Sequence, residues 1–336
     1  MKKAVITFFE TPDWQASYIR KKLKNTSVKF FPDTLDASGL KLAKNTEILG
    51  IFIGSKIDNK TLSALPKLQL IVTMSTGYDH IDLKACHKRG VSVTNVPFYG
   101  ENTVAEHTLA LILSISRRIH QSYQRTSRGI FSFEDLRGFD LKGKILGVIG
   151  TGHIGRHVIR MAQGFEMNII AYDAYPDKVW AKKNAAEYLP LNSLLRRADI
   201  ITLHAPYNPK THHLLNEKNM RLIKKGGIII NTSRGALIDT AAMVKALQDG
   251  RLGALGLDVL EGEQQIKEEA ELLSGIHSMQ DLKINMENHI LMHSDKVILT
   301  PHNAFNSDEA IQRILDTTIL NIKQFTAKQK LENQVK

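Results

Sequence analysis

Residues 145–155 hold the feature that most constrains the fold. The apolar run Ile145–Ile149 leads straight into Gly150-Thr-Gly152-His-Ile-Gly155, and a helical pattern opens at once over residues 154–165. A strand that meets glycines at this spacing and turns into a helix is part of a βαβ unit with a parallel sheet. The first glycine permits the tight turn, the second lets backbone approach a pyrophosphate, and the third allows close helix–strand packing. The helix N-terminus offers free N–H groups and the positive end of a dipole to phosphates. The next apolar run ends at Asp173, 18 residues after Gly155. An acid there accepts hydrogen bonds from adenine ribose hydroxyls and repels a 2′-phosphate. No arginine follows in Asp173-Ala-Tyr-Pro176, so the pattern predicts NAD rather than NADP.

Around this unit the chain alternates. Before it, residues 4–9, 48–53, 70–73 and 91–94 are apolar and β-branched, and residues 13–24, 58–65 and 81–88 read as helices between them. A long helix is expected over residues 104–123. After it, strands are expected at 168–172, 200–204, 227–231, 254–258 and 297–299, and helices at 240–248 and 308–325. Alternation of this kind predicts an α/β fold of two doubly wound parallel-sheet domains, Rossmann-like or flavodoxin-like, with a cleft between them. The polar stretch 264–296 interrupts the second series and reads as a helical excursion before the last strand.

Composition removes several classes. At 336 residues with 43% hydrophobic content, the chain suits two domains with a large core. The single cysteine, Cys86, forbids an intrachain disulfide. The apolar run at 4–9 is shorter than a signal-peptide core, and residues 108–116 are too few to span a bilayer, so the expected location is cytoplasmic, away from membrane. The net charge is +11, yet Lys21, Lys22, Lys24, Lys328 and Lys330 are scattered and not interleaved with aromatics. That distribution argues against nucleic acid and favours attraction of small anions. No metal is expected. His289 and His293 lack a placed third ligand, there is no His-Glu-x-x-His, and His212-His213 reads as loop surface.

Three segments begin at the carboxyl ends of apolar strands, where open α/β sheets bind ligands. They run through Asn231-Thr-Ser-Arg234-Gly235, Asp258-Val-Leu-Glu261-Gly-Glu263 and Thr300-Pro-His302-Asn-Ala-Phe305. Together with Ser75-Thr-Gly77-Tyr-Asp79, Glu101-Asn102-Thr-Val-Ala-Glu106, the glycine loop and His204-Ala-Pro206, they make a sequence that resembles the D-isomer-specific 2-hydroxy acid dehydrogenase family over nearly its whole length. The nearest likeness is to its D-lactate dehydrogenase-like branch.

The resemblance implies roles residue by residue. Arg234 binds and polarises a 2-keto acid, His302 exchanges a proton with the carbonyl oxygen, and Glu263 pairs with His302. The residue types suit that chemistry. A guanidinium meets a carboxylate with two charged hydrogen bonds. An imidazole serves as acid in one direction and base in the other. Glu261 competes for the acidic role, and the resemblance selects Glu263, because the family's glutamate stands five residues after the aspartate that Asp258 matches. For the cofactor the resemblance implies Thr103, Gly150, Thr151, Gly152, His153, Ile154, Gly155, Asp173, His204, Ala205, Pro206, Thr232, Ser233 and Asp258. For the substrate it implies the backbone of Ser75, Thr76 and Gly77, with Tyr99 and Phe305 narrowing the pocket toward a methyl group. Met74 stands where many relatives carry arginine.

The implied architecture has residues 1–100 and 300–336 as the substrate domain and 101–299 as the NAD domain. A homodimer is implied through residues 104–123 and the arm to Leu141. The expected reaction is NAD-dependent reduction of a small 2-keto acid to the D-2-hydroxy acid, most directly pyruvate to D-lactate. Glycerate, glyoxylate, hydroxypyruvate or a longer 2-keto acid remain open as substrates. An NAD-sensing, corepressor-like binding protein of the same fold also remains open.

Overall fold

The computed structural model describes residues 4–24, 26–263 and 279–335. The chain divides into two units, Met1–Gly100 with Asn306–Lys336, and Glu101–Phe305. Among the described residues no helix is long and apolar enough to cross a membrane.

The first unit is built on strands β1 (Val5–Phe8), β2 (Ser27–Phe30), β3 (Ile48–Ile51), β4 (Leu70–Thr73) and β5 (Ser92–Thr94). They form one sheet in the order β2-β1-β3-β4-β5, and every adjacent pair is parallel. Strands β3 and β4 are buried at all four positions, as a parallel sheet covered on both faces requires. β2 alternates exposed and half-buried residues, which marks an edge. Its short, part-polar run carries too little hydrophobic signal to stand out in the sequence. The closing helix Asp308–Thr326 begins at Ser307, whose side chain accepts from the Ala310 N–H, and buries Ile311, Ile314, Leu315, Ile319 and Ile322. Those positions repeat at helical spacing. The tail then returns to pair with β5 at Thr94 and Gln334. Cys86 lies in this core, and burial pushes its thiol up to about 11, which leaves it unreactive.

The second unit contains β6 (Ile145–Ile149), β7 (Asn168–Tyr172), β8 (Ala186–Tyr188), β9 (Ile200–Leu203), β10 (Gly227–Asn231), β11 (Leu252–Leu257) and β12 (Val297–Leu299). Their order is β12-β11-β10-β9-β6-β7-β8, again with every adjacent pair parallel. The order reverses between β6 and β9, the switch point at which open α/β sheets leave a crevice beyond their carboxyl ends. All seven strands run the same way, so the loops that follow them gather along one edge. Of the stretch 264–296, residues 264–278 lie outside the described residues, and Met279–Met292 is helix.

The expected single helix over 104–123 is two helices, Glu101–Ser116 and Ile119–Ser127, separated at Arg118 with φ +49. The returning chain causes the break. The Phe139 N–H takes the Ser116 carbonyl at 2.8 Å, and a Cβ on Gly138 would lie 2.1 Å from the same oxygen. A carbonyl bonded sideways cannot accept from the next helical turn, so the helix stops there. That competitor lies 23 residues downstream of Ser116 and leaves no mark in local periodicity.

Candidate functional site

The glycine loop is shaped by close approaches. Gly150 sits at φ +95, and a Cβ there would lie 2.6 Å from the His204 carbonyl carbon. Only glycine tolerates both constraints, and the loop after β6 thereby presses on the loop after β9 across the switch point. A Cβ on Gly155 would stand 2.0 Å from the Gly150 carbonyl oxygen. Gly152 differs: a Cβ there meets nothing within 4 Å. Gly152 is the N-cap of the twelve-residue helix His153–Gly164, and no side chain caps that terminus. A helix N-terminus that opens into free space fits a dinucleotide pyrophosphate. Asp173, just past β7, accepts from the Thr151 N–H at 2.7 Å, the Thr151 hydroxyl at 2.9 Å and the Tyr175 N–H at 2.9 Å. Its carboxylate is thus held beside the loop. Arg156 follows the loop on the helix, but its guanidinium is engaged by Asp177 at 2.9 Å and lies over the Trp180 ring.

Other expected cofactor residues line the same edge of the sheet. His204, Ala205 and Pro206 follow β9. Thr232 and Ser233 follow β10; the Thr232 hydroxyl meets Thr108 at 3.0 Å, and the Ser233 hydroxyl donates to the Leu203 carbonyl at 2.7 Å. Thr103 is buried near the start of the helix Glu101–Ser116, and His153 is exposed, 3.5 Å from Glu101. The His204 Nε2 is bonded to the Thr202 hydroxyl at 2.8 Å, while its buried Nδ1 has no partner among the described residues. Burial pushes this imidazole down to about 3, so it stays neutral and takes no part in acid chemistry near neutral pH.

Beyond β10, β11 and β12 the three strand-end segments are packed together. The Asn231 amide donates to the Arg234 carbonyl at 2.9 Å and its oxygen accepts from the Ser233 N–H at 3.0 Å, which shapes the turn that presents Arg234. A Cβ on Gly235 would lie about 2.0–2.1 Å from Leu260 and Glu261 backbone atoms. The Arg234-Gly235 step is therefore in contact with the loop that carries Glu263. His302 Nδ1 and Glu263 Oε1 are 2.6 Å apart, and the other Glu263 oxygen accepts from the Leu260 N–H at 3.1 Å. Both side chains are about a quarter exposed, and His302 Nε2 bonds no group among the described residues. A carboxylate on one nitrogen fixes the orientation of the ring.

His302 has φ +50, a costly conformation for a residue with a side chain. Asp258, 1% exposed, holds it there. Its carboxylate accepts from the Asn303 N–H at 3.0 Å, the Ala304 N–H at 2.9 Å and the Thr300 hydroxyl. His107 completes the network with Nε2 3.0 Å from the Thr300 hydroxyl. Sequence reasoning passed over His107 and Thr300. Thr300 stood within a recognised motif, but a histidine on a long helix gives no local sign of its distant partner.

Glu261 turns away from His302. Its carboxylate meets His213 at 2.7 Å and accepts from the Thr240 hydroxyl at 2.8 Å. Phe305 closes the second unit. In the first unit, Ser75, Thr76 and Gly77 follow β4. The Ser75 hydroxyl donates to the Gly77 carbonyl at 2.6 Å, Thr76 bonds the Val96 carbonyl at 2.9 Å, and the N–H groups of Thr76 and Gly77 bond no acceptor among the described residues. Tyr99 accepts at its carbonyl from Arg313, and Met74 is buried in the core.

Known proteins match this arrangement. A family profile described as the NAD binding domain of D-isomer specific 2-hydroxyacid dehydrogenases matches residues 109–304. A 2-hydroxyacid dehydrogenase homolog of Haemophilus influenzae is 37% identical over 334 residues, 98% of each chain. The D-lactate dehydrogenase of Escherichia coli is 34% identical over 339 residues, 100% of each. Among solved structures, D-lactate dehydrogenase from Aquifex aeolicus complexed with NAD and lactic acid superposes with TM-score 0.87 at 34% identity, covering 96% of each chain. The class these likenesses define is the NAD-dependent oxidoreductases. Within it, the chain belongs to the D-isomer specific 2-hydroxyacid dehydrogenases. Its reaction is the NAD-dependent interconversion of a 2-keto acid and a D-2-hydroxy acid.

The neutral His204 has a consequence for stability. Its pKa is lowered on folding, so the unfolded chain binds the extra proton between about 6.5 and about 3. The His204 contribution is therefore present above pH 6.5 and is lost as pH falls through that window. Urea midpoints at pH 7 and pH 4.5 are expected to diverge more for the native chain than for His204→Gln. Equal losses in both would contradict this.

Proposed function

We propose that this dehydrogenase reduces pyruvate to D-lactate, with Arg234, Glu263 and His302 as its catalytic residues. The observation that carries the reading is the Glu263–His302 pair at 2.6 Å, set on the loop adjoining Arg234. Arg234 takes the substrate carboxylate in a two-pronged bond and polarises the neighbouring carbonyl. His302 gives its Nε2 proton to the carbonyl oxygen as charge develops there, and takes it back in the oxidation direction. Glu263 keeps the ring oriented and stabilises it while charged. Ser75, Thr76 and Gly77 bind the carboxylate through backbone N–H groups, which the unmatched donors of Thr76 and Gly77 favour. Tyr99 and Phe305 limit the side chain to about a methyl group.

NAD, when bound, supplies the hydride acceptor and donor for the substrate α-carbon. Gly150, Thr151, Gly152, His153, Ile154 and Gly155 would hold its pyrophosphate, and Asp173 its adenine ribose. Thr103, His204, Ala205, Pro206, Thr232, Ser233 and Asp258 would form the surrounding wall, His204 as a neutral group. Residues 1–100 and 300–336 are proposed as the substrate domain and 101–299 as the NAD domain.

A second copy of the chain is proposed as partner. Ile130, Phe131 and Phe133 are exposed on the arm that follows Ile119–Ser127, Phe131 at 97% and Phe133 at 91%. Adjacent aromatics this bare mark a surface that a partner covers.

A panel of 2-keto acids with NADH tests the substrate. Pyruvate is expected to give the highest kcat/KM, and a larger value for hydroxypyruvate or a branched acid would overturn the assignment. His302→Ala should lower kcat by about 100-fold or more with NADH affinity little changed. Failure of turnover on every acid in the native chain would favour an NAD-sensing binding protein. Asp173→Ala should narrow the NAD over NADP preference, and an unaltered preference would remove Asp173 from the ribose site. By light scattering the native chain should be a dimer and the double substitution Phe131→Ser, Phe133→Ser a monomer; a monomeric native chain contradicts the pairing.

A further inference from the structure

His212, His213 and Glu261 come together although 48 residues separate the second histidine from the glutamate. Their potential ligand atoms all lie within 4.8 Å of one another. We propose that these three side chains form a site for a divalent transition ion such as Zn²⁺, Co²⁺ or Ni²⁺. This site is separate from the Glu263–His302 pair and does not rest on the substrate reading.

The ligand set selects the ion class. Two imidazoles and one carboxylate suit borderline ions, while Mg²⁺ and Ca²⁺ prefer all-oxygen shells. Three protein ligands with a fourth position open to water match accessible zinc sites. His212 is exposed and the Glu261 carboxylate is 13% exposed, so an ion has an approach from solvent on one side and a partly dry ligand on the other.

The surrounding bonds orient the ligands. His213 Nε2 and Glu261 Oε1 are within hydrogen-bond distance at 2.7 Å. Around a tetrahedral ion, donors stand about 3.3–3.4 Å apart, so this pair opens slightly and the wider separation closes by rotation of the exposed His212 ring. The ion takes the place of the proton in this hydrogen bond, and that proton is released to solvent. The second Glu261 oxygen stays bonded to the Thr240 hydroxyl at 2.8 Å, leaving the first to point at the ion. His212 Nδ1 lies 3.4 Å from the Tyr207 hydroxyl, and its Nε2 bonds no group among the described residues. Hydrogen bonds of this kind to the far side of a ligand hold it in a binding orientation. The two rings already stack, with centroids 3.9 Å apart. His213 is fixed by its backbone at φ +49, and its N–H bonds the Ala236 carbonyl at 2.9 Å.

The other histidine pair supplies a control. His289 and His293 stack at 5.9 Å, but His293 Nδ1 is engaged by the His289 carbonyl, and no acidic or thiol ligand joins them among the described residues.

The test is titration of the chelator-treated full chain with Co²⁺, followed by visible absorption and calorimetry. One Co²⁺ per chain is expected, with d–d bands more intense than those of the hydrated ion. Affinity should fall by about tenfold or more in His212→Ala and in Glu261→Gln, and stay unchanged in His289→Ala. NADH binding should persist in His212→Ala, which shows that an exposed substitution has not unfolded the chain. Absence of saturable Co²⁺ binding would overturn the site, as would binding that survives His212→Ala and Glu261→Gln or disappears with His289→Ala.

Discussion

The arrangement beyond β11 and β12 depends on one buried carboxylate. Asp258 is nearly sealed from solvent and accepts from two backbone N–H groups and a hydroxyl of residues 300–304. Hydrogen bonds to a charged group contribute about 1.5–3 kcal/mol each. A side-chain-bearing residue at positive φ costs about 1–3 kcal/mol. Three such bonds outweigh one such residue, so the loop can hold His302 at φ +50 with its Nδ1 against Glu263. The strain falls on the histidine and the compensation falls on its neighbours. The proton exchange proposed for His302 gains from this, since the backbone and Glu263 hold the ring before and after the proton moves.

Much of the fold could be read in advance because it follows from local signals. Buried parallel strands are continuous apolar runs, and β3, β4, β6, β9 and β10 stand where such runs stand. The glycine loop could be read for a different reason: Gly150 and Gly155 occupy places where a Cβ would strike backbone, so the requirement appears in the sequence itself. What escaped was nonlocal or faint. The edge strands β2 and β8 are short and half polar. The break at Arg118 depends on the Phe139 N–H taking a carbonyl that the helix would otherwise use.

The site divides in the same way. The family resemblance, more than residue chemistry alone, picked out Arg234, His302 and Glu263, and it preferred Glu263 to the neighbouring Glu261 through the family's spacing of five from Asp258. The fold separates them. Glu263 reaches His302, while Glu261 reaches back to His213 and Thr240. Neither partner of Glu261 lies near it in sequence, so the His212, His213 and Glu261 group had no signature at all. His107 was hidden likewise, its tie to Thr300 spanning 193 residues.

The central claim is that Glu263 acts through His302 and through nothing else. A double-mutant cycle on kcat for keto acid reduction measures this directly, using Glu263→Gln, His302→Ala and the two combined. If the claim holds, removing the glutamate slows the enzyme only while the histidine is present, and the double variant matches His302→Ala. If the two losses multiply in the double variant, the carboxylate and the imidazole act independently and the account is wrong.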